Sequence, residues 1–178
     1  FRLLPSAWLL IVQFFILILS SISHDSHISY RAISWVLGAL ALLLIAKVIR
    51  QSPAFTALGL FFVSGALLFS ILILLGYREP AIQITAHIFE SLAYFYAAYG
   101  LLRYMFADRY LTKDEMFAAG AVFTLLAWGF AFLYNICQLI DPNSFIKPEH
   151  IGLKSWLDIL FLSFSLQSAT GLSDIVPV

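Results

Sequence analysis

The residues able to do chemistry in this chain fall in three places. His87 and Glu90 stand three apart in an apolar stretch, which puts them on one face of a helix. An ionisable pair at membrane depth does not face lipid. Two readings stay open for it: a functional one, as a proton or cation relay or a gating contact, and a satisfied polar pair that holds helices together. In the second place, His24 and His27 flank Asp25 in a polar connection. Two histidines with no third ligand in view make a weak metal site, so a solvated loop is expected there and no metal. The third place is Ser168-Ala169-Thr170-Gly171-Leu172-Ser173-Asp174, a polar, glycine-bearing piece directly after an apolar run. There is no nucleophile–base pair, phosphate loop or cofactor motif, so no enzyme and no cofactor are expected.

The elements that must position these residues are membrane helices. Of 178 residues, 62% are hydrophobic and 11% charged, with mean hydropathy +0.94. A soluble domain is nearer half apolar and a quarter charged. The lipid bilayer is therefore the expected surrounding, and the balance of ten basic against ten acidic residues gives no reason to expect nucleic acid. The lone cysteine, Cys137, excludes an internal disulfide and reads as a small buried hydrophobe.

Five spans are predicted, at about 4–22, 32–48, 54–77, 81–105 and 116–136. Pro5, Pro53 after Ser52, and the Thr112–Glu115 capping box mark three starts. Arg78-Glu79-Pro80 is a tight turn that makes the third and fourth spans a hairpin. Gly59, Ser64 and Gly65, and again Ala118 to Ala121, are small residues that let a neighbouring helix approach. Asp141-Pro142-Asn143-Ser144 is a turn cluster within a polar stretch from 138 to 152. The fold class is thus all-α and polytopic.

The segment from Trp156 to Leu166 is too short for a sixth span. A helix of about 12 residues rises about 18 Å, against a hydrocarbon core of about 30 Å. Irregular backbone survives at membrane depth only where protein buries it or water lines it. An apolar half-helix followed by a polar loop is what a re-entrant pore segment needs.

This stretch resembles the pore helix and selectivity filter of the potassium-channel family, whose motif runs T-T-V-G-Y-G-D, then an apolar pair and proline. Aligned back from Pro177, Asp174 matches the filter aspartate, Gly171 its first glycine, and Ser168 stands where the first threonine would be. Phe161, Ser163 and Phe164 resemble the family's F-x-S-F pore helix. Ala169 replaces the second threonine, Thr170 the valine, Leu172 the tyrosine and Ser173 the second glycine. The resemblance implies a sensor-type four-helix domain over 1–110 and a pore-type domain over 111–178, with a sixth spanning helix beyond Val178. It also implies a homotetramer passing a monovalent, potassium-like cation along backbone carbonyls from Ala169 to Ser173. Leu172 and Ser173 resist the left-handed angles that family filters give to glycines, so altered or reduced selectivity is expected.

The fourth span carries only Arg103 near its end, so sensing voltage through an arginine ladder is not expected. Alternating the loops leaves Arg2, Lys47, Arg50, Arg103, Arg109 and Lys113 on one side and Arg31, Arg78, Lys147 and Lys154 on the other. The richer side is cytoplasmic, which puts the N-terminus inside and lets the short helix dip in from outside. A bacterial inner or plasma membrane is the expected location. The alternative is a non-conducting subunit that keeps the channel-like shape among unlike membrane subunits of a larger complex.

Overall fold

The computed structural model describes residues 5–22, 53–77, 79–106, 113–147 and 152–178. Five helices account for most of them: α1 Pro5–Ile22, α2 Pro53–Leu74, α3 Pro80–Met105, α4 Lys113–Ile140 and α5 Trp156–Gln167. A two-residue antiparallel ladder joins β1, Phe145–Ile146, to β2, Val176–Pro177. The first three helices each begin on proline, whose fixed φ suits a first turn and whose missing N–H would have had no partner there.

Predicted and observed helices agree closely for the first, third and fourth spans. The fifth runs on to Ile140, one turn into the stretch read as irregular. The second span, the His24–His27 connection, Ser52, Arg78 and Thr112 lie outside the described residues. Two of the helices are long and apolar enough to cross a membrane, over Ala57–Leu74 and Lys113–Ile140.

α4 is the centre. α1, α3 and α5 all pack on it, and α2 packs on the far side of α3. Backbones approach closely where small residues allow. A Cβ on Gly120 of α4 would lie 3.3 Å from Leu10 of α1, and one on Gly129 would lie 3.1 Å from the Phe95 ring of α3. On α2, a Cβ at Gly65 would collide with the Phe89 ring. Ser64, grouped with Gly65 in the sequence, instead points outward and donates to the Phe61 carbonyl.

Aromatic rings fill the space between α3, α4 and α5. Tyr94 stacks on Trp128 with centroids 5.7 Å apart, and Phe132 meets Trp156 at 4.5 Å. Serine hydroxyls clasp the α4 backbone from two sides: Ser91 of α3 donates to the Gly129 carbonyl at 3.1 Å, and Ser163 of α5 to that of Ala127 at 2.6 Å.

The body carries apolar side chains on its outer face as well as in its core, and some polar ones are buried. α1 buries Ser6, Leu9, Gln13 and Ile16, one stripe at helical spacing, and exposes Trp8, Ile11, Phe14, Phe15 and Ile18. Its polar residues face α4: Ser6 donates to Asp114 at 3.1 Å, and Gln13 accepts from Thr124. α2 exposes Leu58, Leu60, Phe61, Leu68, Ile71 and Leu74. Cys137, expected inside, lies on the exposed face of α4. Leu133, one helical turn before it, is exposed too, so the same apolar outer surface explains both.

Candidate functional site

α5 and the loop behind it are built as one unit. Ser155 caps the helix, its Oγ accepting from the Asp158 N–H at 3.2 Å and donating to the Asp158 carboxylate at 2.9 Å. Ile159, Leu160 and Leu162 are buried against the body. Farther along, Gln167 Nε2 donates to the Phe123 carbonyl of α4 at 3.0 Å.

The far end of α5 closes in a Schellman motif. The Thr170 N–H reaches back to the Ser165 carbonyl at 3.1 Å and the Ala169 N–H to that of Leu166, also at 3.1 Å. This places Ala169 at the position that wants a left-handed residue, usually glycine, and its φ is 55°. α2 ends in the same way with the usual residue. Tyr77 N–H bonds to Leu72 O and Gly76 N–H to Ile73 O, with Gly76 at φ 105°. Gly171 is the second left-handed residue of the loop, at φ 62°, and nothing lies within 4 Å of where its Cβ would be. The left-handed positions are therefore Ala169 and Gly171, two apart, and only Ala169 is strained by its angle, where sequence reasoning placed the strain at Leu172 and Ser173.

Beyond Gly171 the chain is tied down again. The Ser173 N–H donates to the buried Ser165 Oγ at 3.0 Å, Ser173 Oγ accepts from the Ile175 N–H at 3.2 Å, and Ile175 is buried. Val176 and Pro177 then pair with Ile146 and Phe145. Leu172, 72% exposed, sits at the tip. Lys147 links the two ends of the unit, 2.9 Å from Asp158 and 3.9 Å from Asp174. Partial burial alone would push the Asp158 carboxyl up. The hydrogen bonds from Lys147 and Ser155, with the ammonium charge, outweigh it and hold that carboxyl below its ordinary value.

His87 and Glu90 belong to a longer chain of polar groups. Glu90 Oε1 accepts from Ser70 of α2 at 3.2 Å, and its Oε2 lies 2.8 Å from His87 Nδ1. His87 Nε2 lies 2.8 Å from the Asn135 amide nitrogen of α4. The Asn135 carbonyl oxygen accepts from Gln138, and Gln138 Oε1 accepts the Lys154 N–H at 2.9 Å. Gln138 Nε2 also reaches the Lys154 carbonyl, at 3.3 Å. The pair thus joins α2, α3 and α4 to the residue just before the cap of α5.

Of the loop residues, Ser168 to Leu172 and Asp174 are exposed and Ser173 is half-buried, and the His87–Glu90 pair is connected to the start of their helix. Sequence reasoning missed Ser70, Asn135, Gln138 and Lys154 as members of the chain. The available signal was Asn135 and Gln138, two amides three apart at the end of an apolar helix. Among the described residues no group of three or more histidine, cysteine or acidic side chains is placed to hold a metal. Compared with protein-family models, curated proteins and solved structures, the chain matches none.

Proposed function

We propose that this chain is a membrane-embedded subunit of a cation-conducting pore, with the loop Ser168–Asp174 as the ion-contacting segment and selectivity altered from that of the potassium channels it resembles. One observation carries the reading. A polar loop with left-handed Ala169 and Gly171 hangs from a 12-residue helix on a body whose outer face is apolar. In hydrocarbon, such backbone is tolerated only against protein or water. A ring of four copies supplies both, with lipid against the exposed faces of α1 and α2. Alternating left-handed residues turn successive carbonyls toward a common axis, where they replace part of a cation's hydration. Asp174, exposed at the end of the loop, raises the local cation concentration.

A second reading is a non-conducting structural subunit among unlike membrane partners. The Lys147 ammonium, 3.9 Å from Asp174, favours it, since a fixed positive charge beside that carboxylate opposes a cation at the end of the loop. Gly171→Ala in liposomes separates the two. The substitution meets no neighbour but strains a positive φ. If the loop conducts, potassium flux is lost while the native mass of the assembly, four copies, is unchanged. Flux equal to that of the unmodified chain refutes the pore assignment, and one or two copies beside other proteins favours the structural subunit.

A further inference from the structure

The direction of every hydrogen bond between His87 and α5 is fixed from the backbone outward. The Lys154 N–H can only donate, so the Gln138 atom facing it at 2.9 Å is the oxygen. Gln138 Nε2 then faces Asn135, whose oxygen accepts, and the Asn135 NH₂ is turned to His87 Nε2. That nitrogen must accept. The ring proton therefore sits on Nδ1 and is donated to Glu90.

A proton taken from water onto Nε2 would meet the Asn135 NH₂, donor against donor. The contact is restored only by reversing the Asn135 amide, which turns its NH₂ toward the Gln138 NH₂ and forces that amide to reverse in turn. The Lys154 N–H then faces an NH₂ group and has lost its acceptor.

We infer that His87, Asn135 and Gln138 form a proton-responsive relay, in which protonation of His87 reverses two amides in series and frees the backbone of Lys154, one residue before the Ser155 cap of the loop-bearing helix. The described surroundings hold few competing titratable groups. α2 has none along Pro53–Leu74. α3 supplies Glu90 and, one turn on, the buried Tyr94; α4 supplies Tyr134 and the exposed Cys137. The lead-in to α5 supplies the buried Lys154, and Asp158 on α5 is paired with Lys147. The relay stands whether or not the loop conducts.

The test uses the full chain in lipid nanodiscs. In the unmodified protein at pH 8, ¹⁵N spectra of His87 show the Nδ1–H tautomer; the Nε2–H tautomer overturns the relay. Hydrogen exchange at the Lys154 amide, corrected for the intrinsic pH dependence, is then about tenfold faster at pH 5 than at pH 8, the scale of one lost hydrogen bond. In His87→Gln, which keeps an acceptor for Asn135 but cannot take the proton, the amide stays protected at both pH values. Equal protection at both pH values in the unmodified chain, or an acid-induced loss that persists in His87→Gln, overturns the relay.

Discussion

Replacing Ala169 with glycine should tighten the end of α5. Ala169 holds φ 55° because the Thr170 N–H to Ser165 and Ala169 N–H to Leu166 bonds require it. For a residue with a Cβ this conformation costs about 1–2 kcal/mol. Glycine removes that cost but adds about 0.4–1 kcal/mol of backbone entropy to the disordered state. The expected net gain is about 0.5–1 kcal/mol for Ala169→Gly, the residue α2 already has at Gly76 in the same motif. Ala169→Thr introduces a β-branched side chain at a positive φ, where such residues are outliers. It should cost about 1 kcal/mol or more. The assay is hydrogen exchange at the Thr170 amide of the chain in nanodiscs, backed by thermal unfolding. Ala169→Gly should slow exchange by about two- to fivefold, and Ala169→Thr should speed it. Faster exchange in the glycine variant would refute the Schellman assignment and with it the account of why the loop leaves α5 where it does.

Other outcomes follow from the packing and the charges. Gly65→Ala drives a Cβ into the Phe89 ring and should destabilise the α2–α3 pair by about 1–3 kcal/mol, read as a lowered Tm with α4 protection retained. Ser163→Ala removes the 2.6 Å bond to Ala127 and should cost about 0.6 kcal/mol, the average for such bonds between membrane helices; unchanged unfolding would mean α5 is held by its apolar face alone. Asp158 has its folded-state carboxyl below the ordinary value, so its contribution is complete above the unfolded-state value and is lost as pH falls through the folded one. The unmodified chain should therefore lose α5 protection in that acid window, and Asp158→Asn, weakened already at neutral pH, should show a flatter profile.

Helix positions were legible because long apolar runs and prolines at the first turn are local signals, as at Pro53 and Pro80. Close contacts were legible for the same reason at Gly65 and Gly120, since a missing side chain can be read without knowing the neighbour. Cys137 and Ser64 were misread because which side of an apolar helix faces inward depends on partners the sequence does not display. The His87–Glu90 pair was visible through its spacing, but its extension to Lys154 depends on the register between α3 and α4, a tertiary fact. The left-handed turn at Gly171 was visible as a glycine in a polar loop. That Ala169 would take the left-handed angle was hidden, because it follows from where α5 ends rather than from what alanine prefers.

The short ladder between β1 and β2 has a mechanical consequence. Val178 N–H donates to the Ser144 carbonyl at 3.1 Å, and Ser144 is in turn bonded through its hydroxyl to Cys137 and Asp141 at the end of α4. A pull applied at Val178 therefore has a second path, through Ser144 into α4, the longest of the described helices, in parallel with the covalent chain through Leu172 and Gly171. The loop hangs between two anchored posts, α5 and the β1–β2 ladder, and the ladder shares with its backbone any tension that reaches it.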